Sequence, residues 1–499
     1  MTTARPVTSP EASGDVALPG SDALLQGDAV LVVDLDGTLC RTDTLHENIL
    51  GALSRRPAHL PGMLAALLAG KAAFKRRVAE AHVTPGAGLP YDEAVLDLVR
   101  DARARGRRTA LVSASDQAQV DAVAEHLGLF DDAIGTGGSD TAGNLGGAAK
   151  AAFLERRYGP RGFDYVGDAH ADLPVWSAAR RAITVRAPRP LRRKVQARHD
   201  DVHHVGEAGG RLRTAIESLR PHQWSKNVLV FLPMLAAHDA GALPAAVAAF
   251  VAFCLTASSV YLLNDLVDLH ADRAHPRKRR RPFASGRLPI AFGLVAAPVL
   301  LLLAAAVALI WTPPAFLGAL AFYYLGTFAY SFWLKRKALV DVLTLAGLYT
   351  ARIIGGAAAT GLSLSPWMLG FSMFLFLALA AVKRQAELAQ QAEGAKTAGR
   401  GYQTSDLPLL RETALASGFA AVMVFALYIN SEAVTSLYAR PEMLWLICPL
   451  LLYWVGRMVL MTHRGYMDDD PIVFAAKDWP SRLVVLFSIL IVVGAGLWP

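Results

Sequence analysis

The chain has 499 residues, 53% of them hydrophobic and 18% charged. That is too apolar for an ordinary soluble enzyme and long enough for two or more domains. The formal charge of +8 gathers in short loops between apolar runs, so it reads as membrane topology, and nucleic acid is not expected as a partner. Cys40, Cys254 and Cys448 stand without paired spacing, which argues against a disulfide framework or a zinc site.

Residues 1–26 carry Pro, Gly, Ser, Thr and Ala without a basic start and apolar core, and read as a flexible lead-in, not a secretory signal. From 27 to 208, short β-rich runs alternate with helical stretches rich in Ala, Arg and Glu, the pattern of an α/β domain with a parallel sheet. Val30–Val33, Thr109–Val112 and Phe163–Val166 are the clearest strands, and each ends near a polar residue. Helical material between Asp43 and Arg105 interrupts the rhythm after the first strand. An insertion there sits at the carboxyl end of the sheet, where such domains place ligands, and is expected to form a lid. Residues 209–218 read as a linker.

Residues 219–499 hold about nine apolar runs of spanning length, near 227–237, 245–263, 290–310, 315–334, 340–359, 367–382, 414–429, 444–461 and 483–497. Alternate loops carry His275–Arg281, Lys335–Lys337, Lys383–Arg384 and His463–Arg464, whereas those around Asp239, Thr312, Gly361 and Ser431 are nearly free of Lys and Arg. The asymmetry predicts an integral protein of the inner or plasma membrane with its amino-terminal domain in the cytoplasm.

The first strand runs into Asp34-Leu35-Asp36-Gly37-Thr38. Two carboxylates one residue apart at a strand end point the same way and can divide phosphoryl transfer, Asp34 attacking phosphorus while Asp36 serves as acid and base. Mg2+ at Asp34 and Asp36 would offset their repulsion from a phosphate. Ser113 follows the second strand, Lys150 offers a cation, and Gly167-Asp168-x-x-x-Asp172 follows the third. These four pieces in this order resemble the haloacid dehalogenase superfamily over roughly 29–205. The resemblance implies a Rossmann-like phosphatase domain with Asp34 as nucleophile, Asp36 as acid/base, Ser113 and Lys150 on the phosphate, and Asp168 and Asp172 near magnesium.

At the end of the second apolar run stands Asn264-Asp265-x-x-Asp268-x-x-x-Asp272-Arg273. Spacings of three and four put the aspartates on one helical face. Carboxylates bordering a membrane are costly unless they bind something, and a divalent ion shared with a diphosphate removes their repulsion. Arg273 and Lys278 could neutralise phosphate oxygens. With Arg281-Pro282 and Gly286 behind it, this stretch resembles the first aspartate-rich motif of the UbiA superfamily of intramembrane prenyltransferases, which implies an all-α membrane domain over 219–499.

Typical members of that superfamily carry a second aspartate-rich motif after the sixth span, and here that place reads Ala381-Val382-Lys383-Arg384-Gln385-Ala386-Glu387-Leu388. Two cations in place of an acidic cluster point to direct phosphate binding. That pattern, with Lys226-Asn227 in the lead-in to the spans, Lys335 and Arg352, resembles the polyprenyl-phosphate phosphoribosyltransferase branch. The branch implies magnesium-dependent transfer of phosphoribose from phosphoribosyl pyrophosphate to a polyprenyl phosphate in the bilayer. Lys335 reads equally as an interfacial anchor, whereas an arginine inside a span, as at Arg352, reads as functional. The rival readings are transfer from a prenyl diphosphate to an aromatic acceptor and, from another class, a membrane-anchored phosphatase or transporter. A homo-oligomer is left open.

Overall fold

A computed structural model describes residues 27–139, 143–207, 209–390, 401–467 and 470–497. The stretch 1–26, read above as a flexible lead-in, lies outside the described residues. The backbone divides into two compact units, one of Met1–Glu217 with Asp265–Gly293 and the other of Ser218–Asn264 with Leu294–Pro499.

In the first unit, six strands form one sheet in the order β3-β2-β1-β4-β5-β6. They are β1 (Val30–Val33), β2 (Thr109–Asp116), β3 (Asp132–Thr136), β4 (Phe163–Gly167), β5 (Arg181–Val185) and β6 (Val202–Val205), and every pairing is parallel. The three expected strands are present, with β2 four residues longer than its apolar run. Side chains alternate across the sheet, so Leu31 and Val33 enter one apolar core and Val30 and Val32 the other. The chain leaves β1 toward β2 and β3, then returns to the far side of β1 with β4. This reversal opens a crevice at the carboxyl ends of β1 and β4, the usual ligand position in such sheets.

The insertion is helical over Thr44–Arg55, Leu60–Leu68 and Lys71–Ala81, around a small core of Ala52, Met63 and Val78. Asp43 caps the first helix by accepting from the backbone of Leu45 and His46. The stretch expected as a linker, 209–218, is helical over Arg211–Ser218.

In the second unit, eight helices among the described residues are long and apolar enough to cross a membrane, one fewer than the sequence pattern predicted. The difference lies at 227–237. There a 3-10 helix over Pro221–Phe231 passes into an α-helix of five residues, Leu232–Ala236, with Pro233 unable to donate to a continuous α ladder. Lys383 and Arg384, expected in a loop, lie inside the helix Pro366–Ala389.

Candidate active sites

The crevice of the first unit collects the expected phosphatase residues. Asp34 leaves β1 and accepts from Lys150 Nζ at 2.5 Å. The same ammonium donates to the Tyr165 hydroxyl at 3.0 Å, which donates to Asp172 at 2.8 Å. Asp172 also accepts from the backbone of Asp168 and Ala169 at 3.2 and 3.1 Å, and Thr38 donates to Asp168 at 3.2 Å. Gly37 has φ +77°, and a Cβ there would run into the Asp168 carboxylate, so the turn between the two strand ends requires glycine.

Carboxylate oxygens of Asp34, Asp168 and Asp172 lie within 4.8 Å of one another. Three acidic side chains against one lysine suit a hard divalent cation. Burial pushes the Asp34 pKa up to about 8, with Asp172 and Asp36 adding to the effect and Lys150 opposing it. Burial, then Asp172, pushes Asp168 up to about 7. Burial works against the charge of Lys150, but Asp34 and Asp172 outweigh it and hold its pKa above the ordinary range.

Asp36, also expected near the metal, is not in that acidic cluster. Its carboxylate accepts from Thr44 N at 2.7 Å and Ser115 Oγ at 2.5 Å. Burial, and then Asp43, raises its pKa despite these bonds, the direction a general acid requires. Ser113 is buried, accepts from the Ser115 amide at 3.0 Å and approaches Asp36 at 3.5 Å. Sequence reasoning missed Ser115 and Thr44. Ser115 was within reach, because it shares a strand face with Ser113 two residues earlier.

The aspartate motif does not form one helix. The first membrane-length helix, Leu243–Val267, stops at Val267, and Asp268 stands just ahead of a new one, Leu269–Ala274. Asp265 and Asp272 are buried and both accept from Arg281 Nη1, at 3.1 and 2.6 Å. Burial raises the Asp272 pKa while Arg281 pulls it down. Two carboxylates meeting on one guanidinium nitrogen already surround a cation, so the pair fits a metal ion; Asp268, half-buried, stands outside the pair. Arg273, expected on phosphate, commits four donors elsewhere: two to Glu47 at 2.5 and 3.0 Å, one to Gly88 O at 3.0 Å and one to Ala284 O at 3.1 Å. Lys278 is exposed on a 3-10 turn.

In the second unit, Lys226 donates to Asp470 at 2.6 Å, and Lys383 lies 3.8 Å from the same carboxylate. Asp470 was missed because it ends an Asp-Asp-Asp run that reads as a solvated loop. Two further expected ligands make protein contacts. Arg384, 1% exposed, is paired with buried Asp341 and with Glu387 and Tyr330. Arg352 donates to Asn227 at 2.8 Å, Leu348 O at 2.7 Å and Tyr323 at 2.8 Å, and Asn227 in turn donates to Cys254. Both arginines, and Asn227, are tied into the helix packing. Asn264 and Lys335 are half-buried, Lys335 on the turn Leu334–Arg336. Beside Lys226 opens an apolar cavity of about 570 Å³, lined by Leu229, Leu232, Met368, Phe376 and Trp454 among others.

Two outcomes follow from these charges. Arg384→Met, which strands Asp341 without its partner, is expected to cost about 3–5 kcal/mol in thermal unfolding; unchanged stability with lost phosphate binding would return Arg384 to the ligand set. In the phosphatase crevice, Asp34 and Asp168 keep protons that the unfolded chain has released, so the metal-free protein should lose stability as pH rises from about 4 to about 8. Magnesium must displace those protons. Its stabilising effect, read by thermal shift and removed by Asp34→Asn, should therefore grow between about pH 6 and pH 8; a pH-independent shift would refute the cluster as the binding site.

Comparison with known proteins agrees with both geometries. The UbiA prenyltransferase family matches residues 228–492 and the haloacid dehalogenase-like hydrolases match residues 31–177. The chain is 40% identical over 462 residues to the uncharacterized protein y4nM of Sinorhizobium fredii, covering 91% of this chain and 88% of that one. It is 35% identical to the nodulation protein NoeC of Azorhizobium caulinodans, covering 55% and 90%. It is 42% identical to the decaprenyl-phosphate phosphoribosyltransferase of Mycolicibacterium smegmatis, where the match covers 35% of this chain and 56% of that relative. The chain belongs to the UbiA prenyltransferase family, an integral membrane enzyme that carries a haloacid dehalogenase-like hydrolase domain ahead of its transferase.

Proposed function

We propose that the membrane domain transfers 5-phosphoribose from phosphoribosyl pyrophosphate to a polyprenyl phosphate, and that the amino-terminal domain removes the 5-phosphate from the product. The observation that carries the reading is the pair Lys226 and Lys383 on one carboxylate beside a long apolar cavity. Among the described residues, two ammonium groups meet one aspartate, which leaves positive charge for a lipid phosphate, and the cavity suits its chain. The 42% identity to a decaprenyl-phosphate phosphoribosyltransferase supports the same choice.

In the transfer, an oxygen of the acceptor phosphate attacks the anomeric carbon as the bond to pyrophosphate breaks, and the pyrophosphate leaves with the electron pair. The acceptor is already an anion, so no strong base is required. Lys226 and Lys383 hold and orient that phosphate, while Asp265 and Asp272 define the donor's pyrophosphate end. Magnesium held by these aspartates would neutralise charge on the leaving group.

In the hydrolysis, Asp34 attacks phosphorus and Asp36, whose pKa burial raises, serves as the acid that gives a proton to the departing ribose oxygen. Asp36 then takes a proton from the water that cleaves the aspartyl-phosphate. Lys150 and Asp172 hold Asp34 in line, and magnesium held by Asp34, Asp168 and Asp172 would offset charge on the phosphoryl oxygens.

Purified protein given magnesium, radiolabelled phosphoribosyl pyrophosphate and polyprenyl phosphate should form a labelled lipid. A labelled product only from a prenyl diphosphate and an aromatic acceptor would replace this reading with prenyl transfer. Asp34→Asn should accumulate the 5-phosphorylated lipid; the same phosphate-free lipid from variant and wild type would remove the phosphatase from the sequence.

A further inference from the structure

The helix Leu60–Leu68 of the insertion turns its apolar side outward. Leu60, Leu64, Leu67 and Leu68 are 46%, 56%, 53% and 92% exposed. Spacings of four, seven and eight residues put them on one helical face. The other side holds Met63, packed with Ala52 and Val78. A stripe of four leucines on a domain that otherwise folds as a soluble α/β unit marks an interaction surface.

The charge around it says what the surface meets. Between Glu47 and Glu80 the sequence has six Lys and Arg residues and no carboxylate. Arg55 and Arg56 stand exposed before the helix, and Lys71 and Arg76 after it. Leucines flanked at both ends by cations match acyl chains bordered by anionic headgroups. The same chain carries eight candidate membrane spans. A short helix binds a bilayer weakly by itself, but tethering makes the encounter intramolecular and raises its effective concentration.

We propose that this helix lies in the membrane surface, with its leucines among the acyl chains and Arg55, Arg56, Lys71 and Arg76 among anionic headgroups. The next helix in the insertion carries Lys75, which donates to Ala114 O near the end of β2 at 2.5 Å and to Asn144, before Lys150, at 2.8 Å. Docking of the leucine helix therefore holds the lid of the phosphatase crevice at the lipid surface, and selects phosphoesters carried on lipids over soluble ones. The docking requires only that the chain be anchored in a membrane and does not depend on phosphoribose being the group transferred.

The three native cysteines are buried, so a single introduced cysteine can be labelled in the full chain in nanodiscs. Leu64→Cys and Leu68→Cys, with Glu155→Cys on the helix Ala148–Tyr158 as reference, would carry an environment-sensitive fluorophore. Acyl-chain spin-labelled lipid should quench the two leucine positions at least about twofold more than the reference, and more in phosphatidylglycerol than in phosphatidylcholine. Equal quenching at all three overturns the proposal, as does cross-linking between Leu68→Cys copies in place of quenching, which would make the stripe a self-association surface. The double variant Leu64→Ser, Leu68→Ser should lose several-fold activity on a lipid-borne phosphoester and keep its activity on p-nitrophenyl phosphate. An unchanged ratio of the two activities would overturn the role in selecting lipid substrates.

Discussion

An ionised side chain withdrawn from water loses several kcal/mol of hydration unless opposite charge and hydrogen bonds replace it. At Arg384 the replacement comes from buried Asp341, from Glu387 and from the Tyr330 hydroxyl. The guanidinium is committed to protein partners. The phosphatase crevice is different, because Asp34, Asp168 and Asp172 outnumber Lys150. Excess negative charge there calls for a cation. Among the described residues, Lys226 and Lys383 share the Asp470 carboxylate, an arrangement suited to an anion. Residue type alone does not separate the three clusters, since all of them join lysine or arginine to carboxylates; the contacts of each group do.

That distinction is what sequence reading could not make. Arg352 was taken for a ligand because a cation inside a span is costly and so reads as functional, and Arg384 because two cations stand where an acidic motif was expected. Asn227 and Asp341, which hold them, lie 125 and 43 residues away in the chain, and no local pattern announces those two partners, although Glu387 follows Arg384 by three residues. The phosphatase motifs were legible because each sits at the end of an apolar run. The strands β3, β5 and β6 were not, since Gly135, Arg181 and the His203-His204 pair break the apolar signature. Hydropathy likewise credited 227–237 with a span, because apolar content does not report whether the backbone sustains an α ladder.

The spacing of the membrane motif was legible and its geometry was not. Helical periodicity placed three aspartates on one face, but the helix ends between the first and second. What brings Asp265 and Asp272 together is Arg281, which sequence reading treated as part of a topology signal. A cation from the same loop thus preforms the acidic pair by relieving repulsion that would otherwise drive the carboxylates apart.

The fusion of the two domains gains a structural meaning from one helix. Thr44–Arg55 opens with Thr44, whose amide holds Asp36, the acid of the proposed hydrolysis. One turn later, fully buried Glu47 takes two donors of Arg273, next to Asp272 of the transferase motif. Separating Glu47 from Arg273 would leave a buried charge on each side, so the contact resists opening. A single turn of helix therefore holds both Asp36 and the segment bearing Asp265 and Asp272. This explains why Asp265–Gly293 clusters with the amino-terminal domain and not with the spans that flank it in sequence.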